Sequence, residues 1–81
     1  MAKSVAERVK AILAEVLDVE VENLLPDARI IEDLHADSIH LVDILAGLEN
    51  SFRIEIPEAD ISVLTTVDKT IQYMEAKVGE A

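Results

Sequence analysis

The stretch Leu34-His35-Ala36-Asp37-Ser38-Ile39 ends a loop-like segment and opens a run in which apolar residues recur at helical spacing. This pattern predicts a helix over residues 38–52, with Asp37 or Ser38 as its N-terminal cap. The first turn of a helix carries unpaired N–H groups and a partial positive charge, so a phosphate attached to Ser38 would be stabilised there. Taken alone, such a serine is more often only a helix cap.

On the N-terminal side, residues 4–17 carry one apolar stripe at helical spacing, which predicts an amphipathic helix. Ser4 and Glu7 have the spacing of a capping box at its start. Residues 18–37 form a connection whose length is typical of functional or partly helical loops. We expect its apolar residues to hold it on the core, and these are Leu24, Leu25, Ile30, Ile31 and Leu34.

On the C-terminal side, a short helix is predicted over residues 57–62, because its proline suits a first helical position. A last helix is predicted over residues 66–78, capped by Thr65 or Thr66 and ended by Gly79. Three longer helices and one short helix, with no pair of strands, predict an all-α fold that forms a small four-helix bundle.

The helix over residues 38–52 contains a glycine that helices disfavour, since Gly47 costs about 1 kcal/mol relative to Ala. Close approach of another helix is its simplest explanation. The expected buried stripe of this helix comprises Leu41, Leu45, Leu48 and Phe52, widened by Val42 and Ala46.

The composition bounds the kind of protein. With 81 residues, the chain is long enough for a single domain, which we place at residues 1–81. One Phe, one Tyr and no Trp leave an aliphatic core. Because the chain has no cysteine, it supplies no disulfide, no thiolate and no cysteine-based zinc site.

The charge is strongly acidic, with 7 basic against 17 acidic residues and a net charge of −10. Nucleic acid and anionic membrane surfaces are therefore poor partners, whereas a basic protein surface is a natural one. No signal-like apolar segment and no run of membrane-spanning length is present, so we expect a cytoplasmic protein without a membrane span. We also expect a monomer.

The order of these signals resembles that of an acyl carrier protein over nearly the whole chain. The resemblance implies a non-catalytic carrier whose Ser38 receives 4′-phosphopantetheine from coenzyme A through a phosphopantetheinyl transferase. The thiol of that arm carries acyl groups as thioesters, here in fatty acid or related acyl-chain biosynthesis. The segments that carry the resemblance are Leu24-Leu25-Pro26-Asp27, Asp37-Ser38-Ile39, Leu48-Glu49 with Phe52, and Ile54-Glu55-Ile56-Pro57.

The resemblance also implies that basic surfaces of the transferase and of acyl-processing enzymes bind the second helix. Asp37, Asp43 and Glu49 are the docking residues expected on this chain. Exposed ion pairs of this kind contribute about 0.2 to 1 kcal/mol each, which allows the rapid release that a shuttle needs.

Several residues depart from the family pattern. His35 stands where a glycine is usual, and His40 stands where an acidic residue is common. Asn50 and Ser51 replace residues that are often glutamates. A specialised carrier for polyketide or amino-acyl loading therefore stays open.

Other chemistry finds little support in the sequence. His35 and His40 do not have metal-ligand spacing, so we expect no metal site and two surface histidines. Ser38, His40 and Asp37 cannot form a hydrolytic triad, because side chains two residues apart on a helix do not face each other. The remaining alternative from a different class is an acidic helical interaction module that is never modified.

Overall fold

The computed structural model describes residues 4–79, and within that range the chain is helical with no strand. The all-α bundle predicted from the sequence is therefore confirmed. Two 3-10 helices accompany three α-helices, which we label α1 (Val5–Leu17), α2 (Ser38–Phe52) and α3 (Val67–Val78); the 3-10 helices are Val21–Asn23 and Glu58–Val63.

The helix boundaries follow the predicted caps. Ser4 Oγ accepts a hydrogen bond from the Glu7 N–H at 3.1 Å, and the Glu7 carboxylate accepts from the Ser4 N–H at 3.0 Å. At α3 the structure selects Thr66 as the cap, with its Oγ1 accepting from the Lys69 N–H at 3.1 Å. Gly79 ends α3 in the left-handed conformation with a φ of 75°.

The core lies where α1 packs against both α2 and α3. It is aliphatic as predicted, and its most deeply buried apolar side chains are Val9, Leu13, Ile30, Leu48, Val67 and Met74. Burial of these side chains stabilises the bundle, because short amphipathic helices are marginal on their own.

The buried face of α2 is narrower than predicted. Leu48 and Ile44 are its fully buried residues, while Leu41, Leu45 and Phe52 are half-buried. The expectation that Val42 and Ala46 widen this face is wrong, because both side chains are exposed. The helix buries the Ile44–Leu48 line, which leaves Val42 and Ala46 at the surface.

The connection between α1 and α2 is held by backbone pairing as well as by apolar side chains. The Ile30 N–H donates to the Thr65 carbonyl at 3.0 Å, and the Val67 N–H donates to the Ala28 carbonyl at 3.1 Å. Leu24 and Ile30 are buried and Leu34 is half-buried, as expected. The expectation is wrong for two residues that point away from the core: Leu25 is 59% and Ile31 is 55% exposed.

The last part of this connection is a closed turn that leads into α2. Asp33 accepts hydrogen bonds from the Arg29 side chain and from the Arg29 N–H, the latter at 2.8 Å. The hydrogen bond from the Arg29 side chain is the main reason that the pKa of Asp33 lies below its usual value. His35 then adopts a left-handed φ of 61°, and the Ala36 N–H returns to the Ile30 carbonyl at 3.1 Å.

The other end of α2 is tied to α1 by one arginine. The Arg8 guanidinium donates to the Ser51 carbonyl and, at 3.0 Å, to Ser51 Oγ. It also lies over the Phe52 ring, 3.9 Å from the ring centroid. Ser51 therefore takes part in helix packing.

Gly47 is predicted to be required by packing. A Cβ at this position would lie 2.9 Å from Ile12 Cγ2, and that methyl belongs to a side chain with a stiff χ1. Overpacking should therefore outweigh the gain in helix propensity, so that Gly47→Ala lowers the free energy of unfolding by about 1 kcal/mol in urea titrations. In an Ile12→Ala background, Gly47→Ala should instead raise the free energy of unfolding. A stabilising Gly47→Ala in the wild-type background would contradict this account.

His35 is predicted to be a site of backbone strain. An L-residue in the left-handed region costs about 1–2 kcal/mol, although histidine tolerates it better than most. Glycine relieves this strain but also raises the conformational entropy of the unfolded chain, which offsets part of the gain. His35→Gly should therefore raise the free energy of unfolding by about 0.5–1 kcal/mol. His35→Ala is the matched control, because it removes the imidazole but keeps Cβ, and it should bring no gain.

Candidate functional site

Ser38 is the first residue of α2, and its side chain is exposed. The structure selects Asp37 as the cap of this helix, because Asp37 Oδ1 accepts a hydrogen bond from the His40 N–H at 2.9 Å. Among residues 4–79 no hydrogen bond involves the Ser38 hydroxyl. The hydroxyl is thus available at the positive end of a helix.

His40 completes the cap in a way that the sequence analysis missed. The Asp37 N–H donates to His40 Nδ1 at 3.3 Å, so the imidazole takes the place of the Glu or Gln of an ordinary capping box. The sequence signal for this role was the position of His40 three residues after the cap. His40 was expected at the surface, but its side chain is half-buried.

The His40 ring has two ways to bind Asp37. Nδ1 lies 3.3 Å from the Asp37 backbone nitrogen and 3.2 Å from the Asp37 carboxylate oxygen Oδ1. A neutral ring with a bare Nδ1 accepts from the backbone N–H, whereas a protonated ring donates to the carboxylate. Asp37 keeps a partner on His40 in both states.

The Asp37 carboxylate is held in its charged form. The hydrogen bond from the His40 N–H is the largest cause that lowers its pKa, and the charge on a protonated His40 acts in the same direction. A negative charge therefore stands next to the Ser38 hydroxyl at neutral pH. It neutralises part of the positive end of the helix dipole and is open to a cation from outside.

The exposed face of α2 beside Ser38 combines acidic and apolar side chains. Ile39 is 71% and Val42 is 63% exposed, and Asp43 is exposed next to them. Asp37 stands at the start of this face. We call Asp37, Ile39, Val42 and Asp43 the α2 face.

Glu49, the third expected docking residue, has a structural contact. Its side chain is half-buried, and Oε2 accepts a hydrogen bond from the Ile56 N–H at 2.8 Å. This bond ties the segment after α2 back to the helix. Glu49 therefore does not lie on α2 as a freely solvated carboxylate in the way that Asp43 does.

A cavity of about 490 Å³ lies on the other side of the Ser38 end of α2. Its α2 wall begins at Leu41, less than one helical turn beyond Ser38. The lining is mainly apolar, with side chains such as Ile30, Leu41, Ile44, Leu45, Ile61 and Leu64. An apolar space of this kind can hold an alkyl chain.

Neither a metal-binding cluster nor a membrane-spanning helix is found among residues 4–79. Within residues 4–79 no three His, Asp or Glu side chains are grouped so that they could hold a metal ion. In the same range, none of the helices has both the length and the apolar character needed to cross a bilayer.

The lowered pKa of Asp37 predicts how acid weakens the fold. A carboxylate whose pKa is lower in the folded state stabilises the protein above the unfolded pKa of about 3.9, and this contribution is lost as the pH falls further. Asn can still cap a helix but carries no charge. From about pH 5 to about pH 2.5, the free energy of unfolding of Asp37→Asn should therefore fall less steeply than that of the wild type.

Asp43→Asn is the matched control for this urea titration series, because Asp43 is exposed on the same helix and caps nothing. It should follow the wild-type slope. Parallel curves for the wild type and Asp37→Asn would contradict the assigned cap.

Comparison with known proteins places this geometry in a family. The model of a family described as a phosphopantetheine attachment site matches residues 7–74, which include α2, the loop before Ser38 and most of α1 and α3. Domains of this family carry a covalently attached 4′-phosphopantetheine and are generally non-catalytic. The chain belongs to the phosphopantetheine-binding family and is a carrier domain similar to an acyl carrier protein.

Proposed function

We propose that Ser38 is the attachment residue and that the protein carries acyl chains between enzymes of acyl-chain biosynthesis. The observation that supports this most is the Asp37 cap, because it frees the hydroxyl of the first residue of α2. A hydroxyl used as the cap would have to leave its hydrogen bond before modification. Here modification leaves the helix cap intact.

The residues around Ser38 fit a phosphodiester. Ser38 Oγ gives up its proton and bonds to the phosphorus donated by coenzyme A, while the nucleotide part of coenzyme A departs with the other phosphate. The new negative charge then sits at a helix N-terminus, where partial positive charge stabilises it. The attached arm supplies a terminal thiol, which this cysteine-free chain lacks.

The Asp37 carboxylate opposes that phosphate once it is attached, since two negative charges repel. We propose that Asp37 serves the earlier step, by binding a cation or basic side chain of the transferase. Its lowered pKa supports this role, because the carboxylate stays charged.

The cavity beside α2 supports an alkyl cargo. Its lining is mainly apolar, and each methylene that leaves water for such a site contributes about 0.8 kcal/mol. Fatty acyl or related chains suit it better than polar amino-acyl groups. We therefore favour fatty acid or related biosynthesis over amino-acyl loading, and a polyketide carrier is the second candidate.

The α2 face supports partners with basic surfaces, namely the transferase and acyl-processing enzymes. Asp37 and Asp43 offer charge, while Ile39 and Val42 offer apolar contact. Glu49 joins them as a docking residue through Oε1, because its other oxygen is bonded to the Ile56 N–H. We propose a cytoplasmic, monomeric shuttle that performs no catalysis itself.

Intact-mass spectrometry tests the attachment residue. The protein is incubated with coenzyme A and a phosphopantetheinyl transferase, and the wild type should gain one phosphopantetheine. Ser38→Ala should gain none. Ser62→Ala is the matched control and should be modified like the wild type, because the Ser62 hydroxyl donates to the Ala59 carbonyl within its own 3-10 helix. An unmodified wild type, or a modified Ser38→Ala, would overturn the proposal and favour an interaction module.

A further inference from the structure

The 3-10 helix Glu58–Val63 is the least anchored of the elements that surround the cavity. None of its residues is buried, and Pro57 before it provides no side-chain cap. Its hydrogen bonds are short-range, such as that from the Asp60 N–H to the Pro57 carbonyl at 2.9 Å. An element with few buried contacts opens at low free energy.

One side-chain hydrogen bond ties this helix to the rest of the bundle. The Tyr73 hydroxyl of α3 donates to Asp60 Oδ2 at 2.6 Å. Among the side-chain hydrogen bonds of residues 4–79, no other joins Glu58–Val63 to a different element. Burial and the contact with Asp60 raise the pKa of Tyr73 to about 12, so the phenol stays a donor at neutral pH.

The tie involves the residue that directly precedes part of the cavity lining. Ile61 and Ser62, which follow Asp60 in the chain, line one wall of the cavity. The facing wall comes from α2, where Ile44 is fixed in the core. The 3-10 helix is therefore the side of the cavity that can move.

We propose that the hydrogen bond between Asp60 and Tyr73 is a latch that fixes this wall and so sets the longest alkyl chain that the cavity accepts. This deepens the proposed carrier function and rests on it for the identity of the cargo. A chain that fits the space leaves the latch closed. A longer chain enters only by moving the 3-10 helix outward, which breaks the hydrogen bond.

Hydrogen exchange in the unmodified protein tests the latch itself. The Leu64 and Thr65 amides donate to the Ile61 and Val63 carbonyls, so their exchange reports opening of the segment. Tyr73→Phe and Asp60→Ala should each speed this exchange about tenfold, the effect of losing a hydrogen bond to a charged group. Glu58→Gln removes a charge from the same helix and is the matched control, which should exchange like the wild type. Equal rates in all four proteins would overturn the latch.

Melting temperatures of an acyl series on the modified protein test the consequence. In the wild type and Glu58→Gln, the rise in melting temperature over the unacylated form should level off as the acyl chain lengthens. In Tyr73→Phe and Asp60→Ala, the gain in melting temperature should continue to longer chains. A plateau at the same chain length in all four proteins would overturn the proposed length limit. Failure to load Ser38 would contradict the carrier proposal, and the exchange measurement would still decide on the latch.

Discussion

The hydrogen bond from the His40 amide to the Asp37 carboxylate determines how the N-terminal end of α2 presents its first residue. A helix needs an acceptor at its N-terminus, and serine is among the residues that most often supply it. Because Asp37 takes that role, Ser38 enters the helix as its first residue with its hydroxyl exposed. The Ser38 hydroxyl therefore makes no capping hydrogen bond, and a group attached to it would leave the helix cap intact.

Packing around α2 differs from one part of its surface to another. The contact between α1 and α2 is tight, with Gly47 against Ile12 and Arg8 on the last turn of α2. Elsewhere, α2 borders a cavity that is also lined by residues of a 3-10 helix without a buried residue. Part of α2 is therefore packed tightly against α1, while another part borders open apolar space.

Much of this arrangement could be predicted from the sequence because local chemistry determines it. The caps at Ser4 and Thr66 and the αL end at Gly79 depend on neighbouring residues only, and all three are confirmed. The rotation of α2 about its axis depends on what packs against it, so spacing alone placed Val42 and Ala46 on the wrong side. The role of His40 was missed because an ordinary capping box has Glu or Gln at that position. The role of Glu49 was missed because it depends on where the chain returns after α2.

The loop before α2 could be predicted only in outline. Its length and its proline indicated a structured connection, but the pairing of residues 28–30 with the segment before α3 brings together parts of the chain that are far apart in sequence. That pairing explains why Ile30 is buried while Ile31 is not. Further along this loop, His35 adopts a left-handed conformation, at the position where the family usually has glycine.

The most direct test of the account is a high-resolution structure of the protein after reaction with coenzyme A and the transferase. We predict a phosphorus bonded to Ser38 Oγ, with the His40 N–H still donating to Asp37 and the first turn of α2 unchanged. A phosphorus on any other side chain, or a first turn that unwinds because Asp37 has left the cap, would contradict it.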